Sequence, residues 1–232
     1  FNSSAVRSAE IYKAGFPAEY GDRSAGVVDV AMKKGAKEWG GEASLGLIAS
    51  SLALEGGFAK GKGRVLVAGR RTYFDLLTRR INRANEGREN FDPIPNYYFQ
   101  DFNLRSDYQL SERDRLTLSA FFSGDNFEIP AQTGNYRSRW GNSAASLQHQ
   151  RIWNPEWLSE TTLSFSDYQF RLRTQLPTFS FSLGTGINNW TLKQHHLYTP
   201  EGSDHQFSGG IQYSHYSYRL ANTQGHSDVT GL

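Results

Sequence analysis

Few residues in this chain have the types and spacing that carry chemistry. Gly56-Gly57-Phe58-Ala59-Lys60-Gly61-Lys62 superficially matches a phosphate-binding loop, but the position that must be Ser or Thr to hold magnesium is Gly63. His195, His196, His205 and His215 cluster in sequence. Adjacent strand residues point to opposite faces, so His195 and His196 cannot chelate as a pair. A contact between His195 and His215 across a hairpin is geometrically open, although a metal site needs three or four ligands. Arg70, Arg71, Arg79, Arg80, Arg83 and Arg88 form a basic run. It suits nucleic acid, an anionic ligand or the phosphates of lipopolysaccharide, but a solvated loop explains it most simply. No Gly-x-Ser-x-Gly elbow, zincin motif or nucleophile–base signature occurs, and carboxylates stand singly. No catalytic role, cofactor or metal is expected.

Composition directs attention to strands. The chain has 232 residues, a net charge of +2, 23 glycines, 15 Phe, 12 Tyr and 5 Trp. Glycine with abundant aromatics suits many short strands. The absence of cysteine does not separate compartments. The near-neutral charge singles out no nucleic-acid partner. No apolar run is long enough for a membrane helix, which leaves membrane strands open, because they need only about ten alternating residues.

From Glu42 onward, apolar and polar residues alternate between regular turns. Nine strands are expected: 43–49, 52–58, 64–76, 97–110, 115–129, 140–153, 158–175, 187–199 and 205–220. Phe102, Leu104, Tyr108 and Leu110 share one face, as do Leu116, Leu118, Ala120 and Phe122. Within 158–175 the phase slips, since Leu163 and Phe165 have one parity and Tyr168, Phe170 and Leu172 the other. A bulge near Ser166-Asp167 would account for it. Turns at 60–63, 111–114, 154–157 and 200–204 read as short. Connections at 78–95, 130–139 and 176–186 read as long. Strands beyond about ten residues, with this asymmetry of turns, suit an outer-membrane barrel.

The most specific stretch is Ile11–Lys34. Gly15-Phe16-Pro17-Ala18-Glu19-Tyr20-Gly21-Asp22-Arg23, then Gly26-Val27-Val28-Asp29-Val30 and a basic stop, resembles the end of the plug domain of TonB-dependent outer-membrane receptors, in the variant common in Bacteroidetes-type bacteria. Gly41–Ile48, Leu52–Gly56 and Gly69–Leu77 look like the first barrel strands of the same family. The resemblance implies an all-β chain: residues 1–32 as the C-terminal part of a plug, 33–41 as a linker, and 42–232 as about nine strands of a larger, twenty-two-stranded, antiparallel transmembrane barrel. Such an odd set of strands is expected to be part of a longer chain. The implied function is ligand capture at the cell surface and energy-coupled import across the outer membrane of a Gram-negative bacterium. Implied partners are the TonB complex, outer-membrane lipid or lipopolysaccharide, a small ligand and a surface lipoprotein. The plug apex maps to Phe16, Glu19, Tyr20, Asp22 and Arg23 as ligand-binding candidates, with loops 78–95 and 130–139. Other readings are a passive pore or adhesin barrel and a soluble glycan-binding β-sandwich.

Overall fold

The computed structural model describes residues 2–13, 15–21, 26–88, 91–131 and 134–227. The chain is mostly β. A hairpin of β1 (Val6–Tyr12) and β2 (Val27–Met32) precedes nine strands in one antiparallel sheet. These are β3 (Gly40–Leu45), β4 (Ala49–Phe58), β5 (Gly63–Thr72), β6 (Asn96–Gln109), β7 (Asp114–Ala131), β8 (Gly134–Asn154), β9 (Trp157–Leu176), β10 (Phe179–Tyr198) and β11 (Phe207–Ser227). Each pairs with its sequence neighbour, so the sheet is a simple meander from β3 to β11.

The register gives every side chain a face, because directly paired residues of antiparallel strands project to the same side. Phe102 pairs with Phe122, Leu104 with Ala120, and Tyr108 with Leu116. Leu118 continues to Leu147, Leu147 to Leu163, and Leu163 to Leu192. The apolar sets expected on separate strands thus form one face, here called the outer face. The inner face bears Arg70, Asp101, Asn103, Arg105, Asp107 and Thr117, and continues through Gln148, Thr162 and Lys193.

The β1–β2 hairpin sits on the inner face. Ala5 and Met32 pack against Ala53, Leu66 and Ala68. Arg105 donates to the Met32 carbonyl at 3.3 Å and holds Asp107 through two bonds of 2.9 and 3.0 Å. The Asn2 amide donates to the Gly69 carbonyl at 3.4 Å. Segment 33–39 lies against the sheet. Gly35 is buried on the Val65 backbone, and the Ala36 amide donates to Glu55 at 3.2 Å.

Several expectations need correction. The strand expected over 64–76 ends at Thr72, and the loop expected at 78–95 begins inside a helix, α1 (Phe74–Ala84). Arg71, Asp75 and Arg79 lie four residues apart and pair at 3.3 and 3.7 Å, which favours a helical turn. Asp75 and Thr78 are buried beneath α1, and Thr78 donates to Asn96 at 2.6 Å. The basic run is therefore dispersed. Arg70 meets Asp101 on the inner face at 2.6 Å, while Arg71 lies over the Tyr98 ring. Within the described residues the connections expected at 130–139 and 176–186 are strand up to Ala131, from Gly134, and on both sides of a two-residue turn at Pro177-Thr178. Ala131 pairs with Gly134, and Leu176 with Phe179. The pairing runs unbroken through Ser166 and Asp167, so no bulge lies there. The phase slip is a change of face polarity. Below it, Leu163 and Phe165 point outward. Above it, Tyr168, Phe170 and Leu172 point inward, opposite Ile187, Thr185 and Leu183.

A Cβ on Gly35 would lie 2.3 Å from the Val65 carbonyl oxygen, whereas one on Gly40 meets nothing within 4 Å. Gly35→Ala should therefore weaken hairpin docking by about 1–3 kcal/mol, read as faster proteolysis of residues 2–34. Gly40→Ala should behave as wild type.

Candidate functional site

Residues 15–21 form a turn that projects from the end of the β1–β2 hairpin. Gly15 has a φ of 64°, a conformation that favours glycine, and Ala18–Tyr20 make one 3-10 turn after Pro17. Tyr20 fixes this turn to the hairpin. Its hydroxyl donates to Asp29 Oδ2 at 2.8 Å, and its ring lies 5.6 Å from that of Tyr12.

The turn faces the inner side of β10 and β11 across a cleft of about 650 Å³. Pro17, Ala18 and Gly21 line one wall, and Lys193, His195, Gln212, Ser214 and Tyr216 line the other. Alternation places them together: Lys193 pairs with Gln212, Thr191 with Ser214, and Asn189 with Tyr216, all on the inner face. His195 Nε2 lies 2.9 Å from the Ser208 hydroxyl and pairs across the sheet with Glu160. The cleft offers an ammonium, an imidazole, an amide, hydroxyls and a phenol. That set can orient a polar ligand by hydrogen bonds and favours a partial negative charge near Lys193.

Of the candidate residues, Phe16 is half-buried within the turn and does not line the cleft, and Tyr20 serves as the anchor of the turn. Glu19 lies within the 3-10 turn. Asp22 and Arg23 lie outside the described residues. The β10–β11 wall was missed, although its signal is present: Thr191, Lys193 and His195 alternate with Trp190, Leu192 and Gln194. His195 and His215 are on opposite faces, because His215 pairs with Trp190 on the outer side. Among the described residues, no group of three or more His, Asp or Glu is placed to hold a metal ion.

The outer face carries the second feature. An apolar band runs through Leu54, Val67, Leu104, Leu118, Leu147, Leu163, Leu192 and Tyr213. Aromatic residues border it at the end of the short turns. Phe58 stacks on Tyr108 at 6.0 Å and Trp153 on Trp157 at 5.5 Å, with Tyr198 and Phe207 alongside. Phe122, Phe165 and Trp190 stand towards the other border, the last two 4.7 Å apart. Among the described residues no helix is long and apolar enough to cross a membrane, which does not bear on strands. No family model, curated protein or solved structure matches this chain.

Tyr20→Phe removes the bond to Asp29 and leaves the ring in place. Amide exchange over residues 15–21 should quicken several-fold, as expected for losing about 1 kcal/mol, with exchange in β6–β9 unchanged.

Proposed function

We propose that this chain is a segment of a TonB-dependent outer-membrane transporter. On this reading β3–β11 are part of a transmembrane barrel wall, β1–β2 are the end of the plug within it, and the cleft at residues 15–21 contributes to the ligand path. The observation that carries the reading is the opposite character of the two faces. Among the described residues nothing covers the outer row of Leu118, Leu147, Leu163 and Leu192, while the polar face holds the hairpin.

The dimensions are compatible with a bilayer. From Trp157 to Phe165 the outer face of β9 runs eight residue steps, about 27 Å along the strand, with Ser159 and Thr161 between the aromatic border at Trp157 and the apolar row of Leu163. At the ~40° tilt of such barrels this is about 21 Å of height, close to their ~25 Å apolar band. A cross-strand row of exposed leucines, Leu118, Leu147, Leu163 and Leu192, with exposed Phe122 and Trp190 beside it, is unusual on a soluble monomer. A sandwich would cover it with a second sheet. The second sheet among the described residues is the hairpin, and it lies on the polar face. A passive pore gives no reason for a hairpin docked by Arg105 against its wall. Import would follow from surface capture in the cleft and displacement of the plug by the energy-coupling complex.

Adjacent residues on β9 provide the test. Leu163 faces outward and Ser164 inward. In the full-length protein, Leu163→Arg should cost about 2–4 kcal/mol of membrane-inserted stability, and Ser164→Arg should insert normally. Outer-membrane fractionation with heat-modifiable electrophoretic mobility reads the result. Recovery of the wild type in the soluble fraction, or equal insertion of both variants, would sink the barrel reading.

A further inference from the structure

Near the connection between β9 and β10 the outer face is basic. Arg137 pairs directly with Arg173, and Arg139 with Arg171, all on that face. The four arginines line a cleft of about 290 Å³ with Ser182 and Gly184 of β10. Like charges directly opposite one another destabilise a sheet. The protein offsets this at one corner only. Glu128 accepts from Arg137 at 2.5 Å and from Asn135 at 2.9 Å. Asn126 accepts from Arg139 at 2.7 Å, and Gln169 accepts from Arg171 at 3.4 Å. Those two acceptors are neutral amides and leave the charge in place. Among the described residues, no carboxylate pairs with Arg139, Arg171 or Arg173. All three are exposed, and an added Cβ on the neighbouring Gly184 would meet nothing within 4 Å.

Size and surroundings select the occupant. The cleft is at the small end of ligand pockets, which span roughly 300–1,000 Å³. The rows that separate it from Phe165 are polar. They carry Gln169 and Asp167 on β9, Ser143 on β8 and Asn188 on β10, and Asp167 is already paired with Arg219. An apolar tail has nothing to rest on there, so the occupant is water-soluble. The two arginine pairs stand two residues apart along the strands, about 7 Å. Guanidinium forks match the oxygens of phosphate groups two at a time. We propose that this cleft binds a small soluble polyanion with phosphate-type groups, such as a diphosphate. The anion would lie over Gly184 and bridge the two arginine pairs, replacing their repulsion by a shared attraction across β8 and β9. The site is on the face opposite the hairpin and its cleft, and it does not depend on the outer-membrane reading.

The repulsion gives the test its sign. A ligand that binds only the folded strand ends stabilises them, so pyrophosphate should slow amide exchange over residues 135–139 and 171–175. The R171Q/R173Q protein loses the ligand and the repulsion together. Without anion its exchange there should be no faster than that of wild type. Calorimetric titration of the full-length protein at constant ionic strength, with pyrophosphate, orthophosphate and chloride, reads the affinity. R171Q/R173Q should bind pyrophosphate roughly tenfold more weakly, and R139Q several-fold more weakly, as expected for charge-assisted hydrogen bonds. R115Q, on the inner face, should match wild type. Equal affinity of wild type and R171Q/R173Q would overturn the site. Faster exchange in anion-free R171Q/R173Q would show that the arginines serve the fold instead. Orthophosphate binding as tightly as pyrophosphate would remove the bridging of the two pairs, and equal protection by chloride would reduce the effect to screening.

Discussion

The structure depends on one constraint, the unbroken antiparallel register across the centre of the sheet. Strand side chains repeat every two residues, so a slip of one residue would exchange the faces. From β5 to β9 the pairing proceeds without interruption until Ile152 and Asn154, beside the turn into β9. That continuity keeps Asp101, Asn103, Arg105 and Asp107 on the side where the hairpin docks. It keeps Leu104, Leu118, Leu147 and Leu163 on the other. Moving β7 by one residue would turn Leu116, Leu118 and Phe122 towards the hairpin, leaving Arg105 and Asp107 among apolar neighbours. The buried charges and the apolar band thus enforce the same register from opposite faces.

The contact between hairpin and sheet is mainly polar. A small apolar cluster, Ala5 with Ala53, Leu66 and Ala68, is surrounded by hydrogen bonds from Asn2, Ala36 and Arg105. Small residues allow the backbones close together, as Gly35 does on Val65 and Gly57 beneath Lys37. A contact built from hydrogen bonds and small side chains gains little from the hydrophobic effect, because it buries little apolar area. Water can replace its bonds one by one at a net cost of about 1 kcal/mol each. Such a contact suits an element that can be released from the sheet.

Much of the sheet was legible because alternation is a direct consequence of strand geometry. The outward set in β6 and β7 was readable from Phe102, Leu104, Leu116 and Leu118 alone. The upper parts of the strands were not. Phe179-Ser180-Phe181-Ser182-Leu183 alternates as clearly as any strand, yet its apolar members point inward, opposite in sense to Trp190 and Leu192 below. A reader following one apolar face along β9 or β10 meets an apparent break where the face only changes partner, and the long loops expected there follow from that misreading. The helix α1 was hidden for a different reason. Its buried residues are Asp75 and Thr78, while Leu76 and Leu77 are exposed. Its amphipathicity is inverted, so a search for an apolar stripe passes over it.

The candidate cleft shows the same limit from another side. Its turn was marked in sequence by Gly15, Pro17 and Gly21, each with a local conformational meaning. Its facing wall comes from residues more than 170 positions later, brought there by the curvature of a sheet whose strands each specify only their nearest neighbours. Lys193 and His195 carry no motif. They are recognisable as a binding wall only once Trp190 and Leu192 are known to face outward, because alternation then leaves Thr191, Lys193 and His195 no direction but inward. The apolar band therefore determines which polar residues are available to a ligand, although it never touches one.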